Sequence, residues 1–342
     1  MNAAEVVAWS GFLLLTKCMG SSYSLKQVPS SEDHVLGVYF DRDDAGLSNL
    51  RLQLESMMSI CKAFNRFLVL PPPQKIQHLE DPYHESNFWS MTHLSKHVPV
   101  VMTSETSPPT DAHFIQDQLA LLCFQDLPQR KHWHFGKEAS RIQHFETLRL
   151  PENKKDASVR CVFECFELND SHHVAASRLL KKVGLVNYEY VSVHLRRGDF
   201  KTFRPHGYKS GEEILRSLVP FSKGRIVLIA TDAPEGDLEI EKLKSLPGAK
   251  KVIMMSSMHE EGSNLLSRAA IEMLICRWSS KFIGTQDSTF TTGIFAMRKK
   301  DSMTMGNRLD ASPILLFGAI PQYRCSGVCW NKVTEYAVGP GL

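Results

Sequence analysis

The chain has little net charge for its length: across 342 residues, 40 Lys and Arg nearly balance 37 Asp and Glu, leaving +3 at neutral pH. No basic run stands out, so nucleic-acid binding through a broad positive face is set aside, while a local cationic pocket stays compatible. Long apolar runs are scarce too. The stretch Val6 to Leu15 falls short of the roughly 20 residues that cross a bilayer. No GxxxxGK[ST], HExxH or GxSxG motif occurs, which removes P-loop NTPases, zincins and serine hydrolases as ready readings. Internal repeats and low-complexity tracts are missing. The eight cysteines offer no CxxC knuckle, because Cys161/Cys165 and Cys325/Cys329 each enclose three residues and no His pair follows; zinc is not expected. In an oxidising compartment these pairs are disulfide candidates, and in a reducing one they are thiols. Cys61 and Cys276 fall inside helical apolar patterns and read as core.

What is present is ordinary globular material, 43% hydrophobic and 23% charged, in a chain longer than one usual domain. Two domains sharing a cleft is the expectation. Val6 to Leu15 followed by Cys18-Met19-Gly20-Ser21-Ser22 has the dimensions of a signal peptide or atypical anchor, although Glu5 stands where a positive charge is usual and Lys17 follows the run. The sequon Asn169-Asp170-Ser171 fits a lumenal location.

Leu36 to Phe40 reads as a strand, Ser48 to Phe64 as a helix with Ser48 as its cap, and Phe67 to Leu70 as a second strand stopped by Pro71-Pro72-Pro73. This is a β-loop-α-β unit of a parallel α/β layer. Gln74 to Asn169, rich in His, Trp and Pro, reads as loops with short helices. After a helix over Ser171 to Lys182, strands are expected at Tyr188 onward, Arg225 to Ala230, Lys251 to Met255 and Lys281 to Gly284. Helices are expected near Gly211 to Leu218, Gly236 to Leu246, Ser263 to Trp278 and from Ser288. The fold class is therefore α/β and GT-B-like, two Rossmann-like domains facing each other across a cleft. The divisions are 1–30 as a signal, anchor or N-terminal segment, 31–185 as the acceptor-side domain, and 186–342 as the nucleotide-binding domain and tail.

The segment Val191 to Phe200 carries most of the chemistry. Val191, Val193 and Leu195 alternate with Ser192, His194 and Arg196, so a buried strand runs into a turn bearing His194, Arg196, Arg197 and Asp199. Arginine's planar fork suits phosphate, and open α/β sheets bind ligands at the carboxyl ends of their strands. An anionic, phosphate-bearing ligand is expected there, with Arg196 on its charge. An Arg196–Asp199 salt bridge is the structural alternative. Arg197-Gly198-Asp199 also spells an integrin-binding tripeptide, but it abuts a strand rather than a protruding loop. Gly46-Leu47-Ser48-Asn49 opens a helix whose N-terminus favours an anion. Thr231-Asp232 ends a further strand. Ser288, Thr289 and Phe290 follow another, and the hydroxyls with nearby N–H groups make a candidate phosphate nest. Asp41-Arg42-Asp43 mimics a metal-binding DxD but is read as a solvated acidic turn.

Together these stretches resemble the GDP-fucose O-fucosyltransferase family, in particular its protein O-fucosyltransferase 2 type. The match rests on Ala45 to Asn49, Asn65 to Pro72, His194 to Phe200 and Phe282 to Phe290, in that order, with Ala230-Thr231-Asp232 as a further strand end. The resemblance implies an inverting, metal-independent transfer of fucose from GDP-fucose to a Ser/Thr hydroxyl of a protein, by a monomer in the endoplasmic reticulum or Golgi lumen with no cofactor. It implies that Arg196 holds the β-phosphate as GDP departs and that His194 and Asn49 line the donor pocket with Gly46 and Ser48. Ser288 and Thr289 meet the diphosphate, Phe290 shapes the nucleotide pocket, and Asp232 and Asp199 hold the nucleoside. Where that type carries an acidic base before the loop glycine, this chain has Ala45, with Asp44 one place earlier as the candidate. Transfer to a glycan, or GDP-sugar binding without turnover, are the rival readings.

Overall fold

The computed structural model describes residues 36–42, 46–76, 79, 81–104, 108–116, 127–128, 130–140, 166–198, 200–203, 208–260, 263–285, 288–305 and 314–316. All lie in the compact unit Leu36–Leu342. The expected leader, Asp44, Ala45, Asp199 and the cysteines other than Cys61 and Cys276 lie outside the described residues.

Ten short strands form two five-stranded parallel sheets. The first joins β1 (Gly37–Phe40), β2 (Phe67–Leu70), β3 (Val100–Met102), β4 (His113–Ile115) and β5 (Trp133–Phe135) in the order β3-β2-β1-β5-β4. The second joins β6 (Tyr190–Leu195), β7 (Ile226–Thr231), β8 (Lys251–Met254), β9 (Lys281–Thr285) and β10 (Ile314–Leu316) in the order β10-β9-β6-β7-β8. In each sheet the strand order reverses at a central strand, β1 in one and β6 in the other. That is where an open α/β sheet leaves a crevice at its carboxyl edge.

The Gln74–Asn169 segment contains three strands that sequence patterning misses. Each is three residues long, too short for alternation to declare itself, and the neighbouring strands supply the pairing. His132 and Trp133 belong to this sheet: His132 Nδ1 accepts the Gly37 amide at 2.7 Å, and Trp133 is fully buried under the Arg66 guanidinium. The acidic-turn reading of Asp41-Arg42-Asp43 is corrected. Arg42 is buried, its Nε bonded to Glu85 Oε1 at 2.7 Å and its Nη2 to the Pro71 carbonyl at 2.7 Å, while Asp41 pairs with His134 at 2.8 Å. The three-proline stop leaves carbonyls facing inward, and a guanidinium satisfies them.

Helix α1 (Leu47–Phe64) follows β1. Its apolar stripe, Leu50, Leu54, Met57, Met58 and Cys61, is buried, and it ends where Asn65 takes a left-handed φ of 51°. The helix begins one residue earlier than expected: Gly46 flanks it and Ser48 is buried within the first turn, so Ser48 is not the cap. Arg51, Gln53, Glu55, Ser56 and Ser59 are buried as well, so this helix is covered on more than its apolar face.

In the second sheet every residue of β6 is buried and its two sides go to different layers. Helix α2 (Asp170–Lys182) precedes this sheet in the chain. Val191, Val193 and Leu195 join a cluster with α3 (Gly211–Ser222) through Ile214 and Leu218. The Tyr190, Ser192 and His194 side faces α4 (Leu265–Arg277) and α5 (Thr289–Met305), with Tyr190 donating to the Ile275 carbonyl at 2.7 Å and Ser192 meeting Ser279 at 2.7 Å. Cys61 and Cys276 are buried free thiols, as their helical spacing predicts. The expected Gly236–Leu246 helix is one α turn, Leu238–Glu241, running into a 3-10 turn, Lys242–Ser245, before Pro247. A single apolar cluster runs from Val38 and Leu50 to Phe282 and Met297, joining the first sheet to the α4/α5 layer of the second.

Candidate functional site

The exit of β6 is pinned from both neighbours. Thr285, at the end of β9, donates to the His194 carbonyl and accepts the Arg196 amide, each at 2.9 Å. Thr231, at the end of β7, donates to the Leu195 carbonyl at 2.8 Å and accepts the Ala233 amide at 3.1 Å. Two hydroxyls thus replace the ladder bonds that end with the strand, and the chain leaves the sheet in one fixed direction.

That direction separates the two arginines. Arg196 Nη1 pairs with Asp232 Oδ2 at 2.7 Å, with the Arg196 side chain 38% exposed. The other oxygen, Oδ1, accepts the Arg197 amide at 2.5 Å. One carboxylate therefore fixes both the backbone and the guanidinium at the strand exit, and a Cβ on Gly198 would stand 2.8 Å from its Oδ2. Arg196 thus forms a salt bridge to Asp232, 36 positions on; the expected Arg196–Asp199 pair lies outside the described residues. Asp232 orients the Arg196 cation at the strand exit. Arg197 turns inward. It is buried, stacked 3.8 Å over the Tyr208 ring, and donates to the Tyr208 hydroxyl and the Lys209 carbonyl at 2.5 Å. A buried arginine removes the adhesion-tripeptide reading.

His194 is buried against α5. Its Nδ1 lies 2.8 Å from Thr291 Oγ1, and its ring leans on Phe290 with centroids 4.7 Å apart. Burial first, and the neighbouring Arg196 charge second, lower its pKa from 6.5 to about 3. The imidazole is neutral at physiological pH and acts as a hydrogen-bonding wall, not as a cation. Close approach of β9 to α5 is what admits this contact: a Cβ on Gly284 would come within 2.9 Å of Thr291 Oγ1 and overlap its methyl group. Ser288 is buried directly ahead of α5, its carbonyl accepting the Thr292 amide at 3.0 Å, and Thr289 and Phe290 form the first turn.

Of the expected residues, the structure gathers His194, Arg196, Asp232 and Phe290 through direct contacts, with Ser288 and Thr289 one step along the chain. Gly46, Ser48 and Asn49 stand at the exit of β1 in the other sheet. The link between the two groups is made by a residue that motif reading missed: the Arg51 guanidinium lies against Gly293 of α5. Thr285 stands inside the Phe282 to Phe290 stretch without a role assigned to it, and Thr291, one residue beyond, was missed. Arg51 had a signal, a charged residue at an otherwise buried helical register.

The fold has counterparts among solved structures. A crystal structure of POFUT1 in complex with GDP superposes with a TM-score of 0.56 at 15% identity, covering 84% of this chain and 99% of that one. One of POFUT1 in complex with GDP-fucose gives 0.54 at 13% identity, with the same coverage. The fucosyltransferase NodZ from Bradyrhizobium gives 0.51 at 15% identity over 77% of this chain and 92% of that one. No curated protein matches in sequence. The model of the family described as GDP-fucose protein O-fucosyltransferase matches residues 38–300, which takes in both central strands and every contact above. The chain belongs to the GDP-fucose protein O-fucosyltransferase family.

Proposed function

We propose that the protein is an inverting, metal-independent glycosyltransferase that moves fucose from GDP-fucose to a Ser/Thr hydroxyl of a protein acceptor. The observation that carries this reading is Arg196: a half-exposed guanidinium at the switch point of a parallel sheet, held in place by Asp232. Cleavage of the glycosyl–phosphate bond builds negative charge on the departing diphosphate. A cation already oriented by a carboxylate and two threonine hydroxyls lowers that barrier without reorganising. Ser288, Thr289 and the first turn of α5 add hydroxyls and a helix N-terminus for the same charge.

Neutral His194 and Phe290 form an uncharged wall beside Arg196, suited to sugar or base rather than to proton transfer at pH 7. Activation of the acceptor hydroxyl falls to Asp44, two residues before Gly46 in the sequence, or is dispensed with in an oxocarbenium-like substitution. We read the two sheets as the facing Rossmann-like halves of a GT-B-like enzyme, divided near residue 185, acting as a monomer in the secretory-pathway lumen. Family membership supports the donor. Ala45, in place of an acidic residue, keeps donor binding without turnover as the second reading.

The test is transfer from GDP-fucose by the wild type and Arg196→Ala on folded-domain and glycan acceptors. Transfer to protein that Arg196→Ala abolishes supports the proposal. Transfer to glycan alone overturns the acceptor, and donor binding with no turnover or hydrolysis overturns the enzyme reading.

A further inference from the structure

Arg51 is a charged side chain in an uncharged place. It sits in the second turn of α1, is 5% exposed, and its Nη1 donates to Glu55 one turn on. Its Nε is buried with no hydrogen-bond partner. Leaving a donor of a buried cation unsatisfied is costly, so packing alone is a poor account of this arginine. The guanidinium lies flat on α5: Nε, Cζ and Nη2 are 3.6, 3.8 and 3.9 Å from where a Cβ on Gly293 would stand. A glycine inside a helix costs about 1 kcal/mol against alanine, and here its bare backbone receives the planar group.

The position matters. Thr289 lies on the same face of α5 one turn before Gly293, about 6 Å towards the helix N-terminus. On α1, Arg51 comes four residues after Leu47, the first residue of that helix. Arg51 and the Gly293 it rests on are therefore each one turn in from a helix N-terminus, where free N–H groups and a positive dipole end lie. Burial, against the pull of Arg51, pushes the Glu55 carboxyl up to about 7, so near neutral pH the pair retains positive charge at this junction.

Resting on the donor reading above, we infer that Arg51, seated on Gly293 and tethered by Glu55, is a second guanidinium for the diphosphate of the nucleotide. It is supplied by the first sheet's helix to a site otherwise built on the second sheet. A bound pyrophosphate group on the edge of the guanidinium explains a buried cation between the two helices. Arg196 takes the charge from one side of the α5 N-terminus and Arg51 from the other.

Calorimetric titration with GDP and with guanosine separates this from a structural role. Arg51→Gln is expected to weaken GDP at least tenfold while guanosine changes less than twofold. Glu55→Gln, which keeps an acceptor for Nη1 and removes the counter-charge, is expected to tighten GDP threefold or more at pH 8. It decides the matter should Arg51→Gln fail to fold. Equal loss of GDP and guanosine, or no change with Arg51→Gln, overturns the inference, as does weaker or unchanged GDP binding in Glu55→Gln. A wild-type protein that binds no GDP overturns the donor reading and this inference together; normal wild-type binding with unaffected variants overturns the inference alone.

Discussion

Gly284→Ala tests how the His194 wall is built. The added methyl group meets Thr291, whose Oγ1 would be 2.9 Å and Cβ 3.1 Å away, with its methyl overlapping. Thr291 has a stiff χ1 on a rigid helix, so relief requires α5 to shift or the threonine to rotate. Rotation breaks the 2.8 Å contact with His194 Nδ1 and leaves a buried imidazole nitrogen without its partner. Overpacking costs about 1–3 kcal/mol and the orphaned ring nitrogen about 1–3 kcal/mol. The sum, roughly 2–6 kcal/mol, is a fall in melting temperature of about 3–8 °C for a chain of this size. Urea denaturation of wild type, Gly284→Ala, Thr291→Ser and the double variant completes the cycle. Serine removes the clashing methyl and keeps the oxygen for His194, so the double variant should recover about 1 kcal/mol or more relative to additivity. Wild-type stability in Gly284→Ala, or additivity in the double variant, refutes the reasoning.

Three further outcomes follow from the same contacts. Asp232→Ala removes the Arg196 ion pair and the acceptor of the Arg197 amide; transfer should fall at least tenfold while fucose-donor affinity falls less, and an unchanged turnover number contradicts the orienting role. His194 has a folded pKa near 3, below its unfolded 6.5, so its contribution to stability is intact above pH 6.5 and is lost as pH falls towards 3. Near pH 4.5 the loss is roughly 2–3 kcal/mol. Glu55 has the opposite sign, its folded pKa raised to about 7, so only the wild-type minus His194→Gln difference isolates the slope; a pH-independent difference sinks it. Glu85→Ala strands the buried Arg42 guanidinium and should cost about 3–5 kcal/mol in chemical denaturation, whereas a loss under 1 kcal/mol would mean the pair is dispensable.

Much of this arrangement was legible before any coordinates. Alternation in Val191 to Leu195 identified β6 and the side to which His194 belongs, and Gly46, Asp232 and Ser288 were placed at strand exits by the α/β rhythm alone. Local patterns fail where the deciding partner is distant in sequence. Arg42 reads as a solvated turn residue until Glu85 and the Pro71 carbonyl are seen around it. The partner that Asp232 finds in Arg196 shows only once β7 is set beside β6. The β3, β4 and β5 strands are three residues each and owe their conformation to neighbours rather than to their own propensity. Arg51 carries no motif because its partner is an absence, the missing side chain of Gly293.

The central claim is that Arg196 holds a nucleotide diphosphate at the exit of β6. Calorimetric titration of GDP into wild type and Arg196→Ala, each with and without EDTA, tests it most directly. The account predicts micromolar binding, roughly −8 kcal/mol, insensitive to EDTA and weakened about 10- to 100-fold by the substitution, the worth of one charge-assisted hydrogen-bonding group. Equal GDP affinity in the two proteins, or binding that EDTA abolishes, would contradict it.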